Sequence, residues 1–354
     1  MNRFTKLKKM NKKKIGIIGA TGYTGSELVR ILINHPDVEI NLITSESRAG
    51  EPFSDVHPFF QGIVDQKLLS INQMEDVELD LVFLALPHGV SMDFVKKFHG
   101  KPFKIVDLSG DFRLNTVADY EQWYQMKHVY PEGIKNAVFG IPELFADQIK
   151  EAKLVANPGC FPTTAILGLA PLITNNLVEK KQIIIDSKTG VTGAGIKSKP
   201  VNLYSNVNDN FKAYGLKNHR HTIEIQNIFD QLLDEKTLVQ FTPHLLPVDR
   251  GILSTIYVQP TGEMDEEKLK DIYTKFYVRA PFVRLRKQLP AIKDVRGSNY
   301  CDLHVNFDER TNRIIIVSVI DNLVKGAAGQ AVQNMNLMLG LNEKQGLNQV
   351  PVNP

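Results

Sequence analysis

The stretch Lys14-Ile15-Gly16-Ile17-Ile18-Gly19-Ala20-Thr21-Gly22-Tyr23-Thr24-Gly25-Ser26-Glu27-Leu28 decides the fold. Ile15–Ile18 is an apolar run of the buried-strand kind, and Leu28, Ile31 and Leu32 follow at helical spacing. Between them Gly19, Gly22 and Gly25 form G-x-x-G-x-x-G, a relative of the dinucleotide fingerprint. Glycines permit the tight turn and let backbone approach a pyrophosphate. The helix start then offers free N–H groups and a positive dipole end. Gly19, Thr21, Gly22, Tyr23, Thr24 and Gly25 are therefore candidate cofactor contacts.

Outward from this loop the pattern repeats. Val38–Ile43, Leu79–Leu86, Lys104–Leu108 and Leu154–Ala156 are further apolar runs separated by helical segments. Strands alternating with helices predict right-handed crossovers and a doubly wound parallel sheet. The second half differs. Gln182–Asp186, Leu238–Phe241, Ile252–Val258, Asp302–Phe307 and Ile314–Ile320 lie closer together, and several alternate apolar with polar residues. That predicts a second α+β domain with a mainly antiparallel sheet covered on one face. Ala328, Val332, Met335 and Leu339 mark one face of a closing helix.

The chain has 354 residues, enough for two domains. Hydrophobic residues are 43% and charged residues 23%, which excludes disordered, collagen-like and coiled-coil classes. No apolar run is long enough for a membrane span. Two cysteines, Cys160 and Cys301, make no disulfide framework, so a reducing cytoplasm is expected. The net charge of +3 comes from the N-terminus: seven of the 42 basic residues and no acid fall in residues 1–14. The remainder carries 35 bases against 39 acids, net −4, and gives a nucleic-acid partner no support. The basic stretch lacks the apolar segment of a secretion signal. It reads as a solvated extension, with Met10 as an alternative start.

The second strand ends Thr44-Ser45-Glu46-Ser47-Arg48. Ser45 and Arg48 suit a 2′-phosphate, whereas Glu46 suits the free ribose of NAD; NADP is expected. Pro87 and His88, after a strand, line up with the cofactor crevice. Asn157-Pro158-Gly159-Cys160-Phe161-Pro162 opens a helical run, which puts Cys160 where the helix dipole lowers a thiol pKa. Cys160 is thus a candidate nucleophile, and Cys301 an ordinary buried cysteine. Asn218-His219-Arg220-His221-Thr222 precedes a helix that Thr222 would cap. One of His219 and His221 would serve as acid/base, with His219 preferred. No thiolate pair or acidic third ligand accompanies them, so no metal is expected. Arg113, Lys188, Lys197, Arg220 and Arg250 are candidate cations for an acidic substrate, and the Ser187–Gly195 loop, with Gly193, is a candidate anion nest.

Taken together, Gly19-Ala-Thr-Gly22-Tyr-Thr-Gly25, Leu86-Pro-His-Gly89, Asp107-Leu-Ser-Gly-Asp111-Phe-Arg113, Asn157-Pro-Gly-Cys160, Gly190-Val-Thr-Gly-Ala-Gly195, His219-Arg-His221-Thr and Asp321-Asn-Leu-Val-Lys-Gly-Ala-Ala-Gly329 resemble the N-acetyl-gamma-glutamyl-phosphate reductase family, from Lys14 to Leu341. Gly110 stands where the family pattern has alanine and Ile223 where it has proline; neither removes a reacting group. The resemblance implies NADPH-dependent reduction of an acyl phosphate in arginine biosynthesis through a thioester on Cys160. It also implies Asn322 at the cofactor and a dimer or tetramer. Substrate contacts would come from Arg113, Asn157, Lys188, Gly193 and Arg220. The domains would be a basic extension (1–13), a dinucleotide-binding domain (14–159 with 325–354) and a catalytic and dimerisation domain (160–324). The rivals are aspartate-semialdehyde dehydrogenase, a lysine-pathway aminoadipyl-phosphate reductase and a non-catalytic dinucleotide-binding redox sensor.

Overall fold

The computed structural model describes residues 12–354, so the basic stretch up to residue 11 and the alternative start at Met10 lie outside it. Strands β1 (Lys13–Ile18), β2 (Val38–Thr44), β3 (Leu81–Leu84), β4 (Lys104–Asp107), β5 (Val138–Phe139) and β6 (Leu154–Ala156) form one sheet in the order β2-β1-β3-β4-β6-β5. All its pairings are parallel. Alternate residues of these strands enter opposite layers. Ile17, Ile43, Phe83, Val106 and Val155 join the core toward the rest of the molecule. Ile18, Leu42, Val82, Leu84 and Ile105 join the other layer. This two-sided burial is what makes the strands read as unbroken apolar runs.

The second sheet holds β7 (Ile183–Thr189), β8 (Lys212–Ala213), β9 (Val239–Leu245), β10 (Ile252–Val258), β11 (Val283–Leu285), β12 (Cys301–Asp308) and β13 (Arg313–Ile320). Its order is β11-β12-β13-β10-β7-β9-β8. Four of its six pairings are antiparallel; β7–β9 and β11–β12 are parallel. Ile183, Ile185, Ile252, Ile256, Ile314 and Ile316 face the helix Cys160–Thr174, which is buried from Phe161 to Ile173. The short edge strands β5, β8 and β11 have only two or three residues each and leave no periodic signal.

The closing helix, Gly329–Met338, differs from the expected amphipathic one: every residue is buried. Its polar residues find partners inside for most, not all, of their atoms: Gln330 Oε1 and Asn334 Oδ1 have none among the described residues. Asn334 Nδ2 donates to Gly140 O (2.9 Å), and Asn336 Oδ1 contacts His35 Nε2 at 3.0 Å. Lys104 Nζ reaches Met338 O at 2.6 Å, so the helix lies on the first sheet. The helix after the histidines begins at His221, one residue before the expected cap, and Thr222 makes no side-chain cap bond.

Candidate functional site

The three glycines of the first loop do different work. Gly19 has φ +86°, and a Cβ there would lie 2.6 Å from Ala85 O. A Cβ on Gly25 would lie 2.6 Å from Ala20 Cα, so this glycine lets the helix Tyr23–Leu32 press onto the strand end. Gly22 faces open space, with nothing within 4 Å of such a Cβ. An open, bare turn at a helix N-terminus fits a pyrophosphate. Gly22, Tyr23, Thr24 and Gly25 line a cleft of about 410 Å³. Pro87, His88, Arg113, Asn157, Gly193, Asn322, Cys160 and His221 line it too.

Ser45 and Arg48 lie outside that lining. Arg48 Nε bonds both Glu51 carboxylate oxygens, at 2.9 and 2.8 Å, on the surface. Glu46, the residue that favoured NAD, accepts from Ile71 N at 2.7 Å and is spent on that turn. No free acid therefore remains at the end of β2 in this run. The open helix amides at Gly22–Gly25 fit the pyrophosphate of a dinucleotide, while Ser45 is buried and Arg48 is held by Glu51.

A second cleft of about 450 Å³ joins the first. His88, Tyr124, Cys160, Phe161, Gly193, Tyr214, His219, Arg220 and His221 line it. Cys160, His88, Gly193 and His221 belong to both clefts, so the sulfur sits where they meet. β6 ends at Ala156, and Asn157–Gly159 carry the chain to the helix that begins with Cys160. Asn157 holds this turn with both ends of its side chain: Nδ2 to Ala327 O (3.2 Å) and Oδ1 from Asn334 Nδ2 (3.0 Å). Glu224, fully buried in the first turn of its helix, accepts from Gly159 N at 2.7 Å. Its i, i+3 spacing from His221 is the only sequence signal for this role.

Arg113 is 7% exposed. It donates to Asn157 O (2.7 Å) and Leu108 O (2.7 Å), and its Nη1 lies 3.4 Å from Glu224. One of these bonds holds the cysteine turn, and the side chain also lines the cleft. Arg220 is different: it is exposed, stacks 4.8 Å over the Tyr124 ring, and has no carboxylate partner among the described residues. Lys188 is not brought to the cysteine; it pairs with Asp186 on the outer face of the second sheet. Arg250 spans the two halves by binding Glu27 at 3.1 and 3.0 Å. Asn322 accepts from Gly251 N (2.8 Å) and donates to Thr192 (2.9 Å), so it ties the cleft-lining loops together.

Burial pushes Cys160 up to about 11, against the pull of Arg113 and the local backbone amides. The expected lowering by the helix end loses because desolvation of a thiolate outweighs the dipole. The histidines are neutral. Burial pushes His88 down to about 3 and His219 to about 4, and His221 well below its ordinary value, with Arg220 adding to each. Gly110 N donates to His88 Nδ1 (2.8 Å) and His221 N donates to His219 Nδ1 (3.2 Å). Each of these two neutral rings therefore carries its proton on Nε2. His221 lies directly over Gly159: a Cβ there would be 2.4 Å from its Nε2. Its ring is 4.8 Å from that of His219.

Residues 14–152 match the semialdehyde dehydrogenase NAD binding domain, and residues 160–322 the semialdehyde dehydrogenase dimerisation domain. A protein from Clostridium novyi named N-acetyl-gamma-glutamyl-phosphate reductase is 47% identical over 95% of this chain and 98% of its own length. One of the same name from Pelotomaculum thermopropionicum is 49% identical over 94% and 97%. Among solved structures, aspartate semialdehyde dehydrogenase II from Vibrio cholerae superposes with a TM-score of 0.71 over 93% of this chain and 99% of that one, at 17% identity. Aspartate semialdehyde dehydrogenase with NADP from Candida albicans gives 0.68 over 93% and 99%, at 16%. These structures share the two-sheet fold.

Proposed function

The chain belongs to the N-acetyl-gamma-glutamyl-phosphate reductase family, and from that membership we propose that it reduces an N-acyl-gamma-glutamyl phosphate with NADPH to the N-acyl-glutamate semialdehyde, releasing phosphate, in arginine biosynthesis. Relatives near 47% identity over nearly the whole chain favour this over the aspartate-semialdehyde reading, whose solved structures share the fold, and over the aminoadipyl reading. The observation that carries the chemistry is Cys160 at the junction of a dinucleotide cleft and a second, basic-rimmed cleft.

In this reading Cys160 is the nucleophile. Its proton moves from Sγ to the neutral His221, whose ring lies over the adjoining Gly159. Sulfur then bonds to the acyl carbon, the carbon–oxygen bond to phosphate breaks, and phosphate leaves with that electron pair. A thioester remains on Cys160; capture of this kind replaces one hard reduction by two easier steps. When bound, NADPH supplies hydride to the thioester carbon. As the carbon–sulfur bond breaks, the sulfur leaves with its electron pair and the aldehyde carbonyl re-forms; His221 returns its proton to the sulfur and the thiol is restored. The sequence favours His219 as acid/base; the geometry favours His221, which lines both clefts, whereas His219 lines only the second. Arg220, stacked over Tyr124 and without a carboxylate partner among the described residues, suits a substrate carboxylate. Arg113 and Asn157 would position the turn rather than grip substrate. Gly22–Gly25, Ser45, Arg48, Pro87, His88 and the loops tied by Asn322 would hold NADPH.

The segment matching a dimerisation domain supports a homo-oligomer, dimer or tetramer, through the outer face of the second sheet, where Ile184 is 39% exposed. No described helix is long and apolar enough to cross a membrane. The test is phosphate-dependent NADP reduction with N-acetyl- and N-succinyl-glutamate semialdehyde side by side. Turnover with either supports the reading. Activity confined to aspartate semialdehyde would replace it, and cofactor binding without any turnover would restore the redox-sensor alternative.

A further inference from the structure

Behind the cysteine lies a buried charge pair that the chemistry above does not use. Lys325 and Glu143 are both wholly buried, with Lys325 Nζ 2.7 Å from Glu143 Oε1 and 2.8 Å from Gln333 Oε1. Gln333 in turn donates to Glu143 (3.2 Å) and Glu343 (2.8 Å) and accepts from Asn299 (3.0 Å). Glu143 Oε2 has no hydrogen-bond partner among the described residues. The cluster joins the helix Pro142–Glu151, the closing helix and the C-terminal loop around one side chain. Isolated ionised groups are costly to bury, so such a pair needs a reason to exist.

Lys325 sits in a wide turn, Val324–Ala328, whose bonds skip five residues: Gly326 N to Asp321 O (3.0 Å) and Ala328 N to Leu323 O (2.9 Å). Wide turns of this kind are rare and gather at functional sites. This one touches the cysteine. A Cβ on Gly326 would lie 2.8 Å from Cys160 Cβ, and Ala327 O accepts from Asn157 in the cysteine turn. Gly326 and Ala327 also floor the dinucleotide cleft.

We propose that the Lys325–Glu143 pair is a positioning device, which holds the Val324–Ala328 turn in its wide register so that Gly326 backs Cys160 at the meeting of the two clefts. The proposal rests on Cys160 being the nucleophile. Relaxation to an ordinary α turn would advance the following backbone by about one residue's rise, ~1.5 Å, and displacements of that order cost catalysis about 100-fold.

The test is the double variant Lys325→Met/Glu143→Leu, which removes both charges together. Replacing a buried pair by apolar side chains commonly leaves stability near normal. The melting temperature should stay within a few degrees, kcat should fall at least tenfold, and KM for the acyl phosphate should change less than threefold. The rate of Cys160 alkylation should change as well, a readout that a merely structural pair would leave alone. Lys325→Arg keeps the charge but not the shape of the head group, and covers the case in which the double variant does not fold; it should also lose kcat. Wild-type kcat and alkylation in either folded variant would overturn the proposal. Cys160→Ser is run alongside: if it stays active, the nucleophile reading falls; if it is dead while the paired variants are normal, only the positioning claim falls.

Discussion

Gly159→Ala isolates the histidine that the mechanism needs. Gly159 has φ −67° and ψ 156°, which alanine adopts without strain, so the backbone is not the obstacle. The obstacle is His221. The new Cβ would lie 2.4 Å from Nε2 and 2.8 Å from both ring carbons beside it, where ordinary contact begins at 3.4 Å. The ring must therefore retreat by about 1 Å. A misplacement of that size costs about 100-fold, which is about 2.7 kcal/mol of barrier. Steady-state assays should show kcat down by about that factor with KM for NADPH little changed, because the dinucleotide loop is untouched. Melting should move by only a few degrees. Near-normal kcat in a folded Gly159→Ala protein would refute the assignment of His221, and the comparison of His219→Asn with His221→Asn would then decide for His219.

Further outcomes follow from the charges. Because the Cys160 thiol is pushed up to about 11, its alkylation rate in the free enzyme should rise about tenfold per pH unit from 7 to 9.5; a plateau below pH 8 would mean a thiolate at rest. Arg48→Ala should raise KM for NADPH about tenfold, the worth of one charge-assisted bond, and leave KM for NADH alone; equal effects would remove Arg48 from the 2′-phosphate. Arg250→Met should cost about 2 kcal/mol of stability, since Glu27 is buried and keeps only Arg30. Burial raises the Glu27 carboxyl, but Arg250 and Arg30 outweigh it and the net shift is down. A depressed carboxylate stabilises above its unfolded pKa, so the gap between wild type and variant should persist above about pH 4.5 and shrink as pH falls below it. A gap that is constant through that range would take Glu27 out of the linkage.

The glycine loop and the long strands were legible because each reports a local constraint. Ile252–Val258 coincides with β10, and the alternation around Leu303, Val305 and Phe307 marks β12. The edge strands β5, β8 and β11 were not, being too short for any period. The closing helix looked amphipathic because Gln330, Gln333, Asn334 and Asn336 are polar; their burial depends on partners such as Gly140 and Thr163 far away in sequence. Cys160 was legible from its turn, but its raised pKa was not, since desolvation comes from residues that only the tertiary fold brings together. The same holds for Glu224, whose role appears when Gly159 is seen against it, and for Arg113, whose donors turn inward.

The most direct measurement is chemical quenching of the enzyme mixed with N-acyl-gamma-glutamyl phosphate in the absence of NADPH, followed by mass analysis of the peptide that carries Cys160. One acyl group on that peptide, lost on addition of NADPH and never formed in Cys160→Ser, is the predicted result. An enzyme that turns over normally yet never carries acyl on Cys160 would contradict the account.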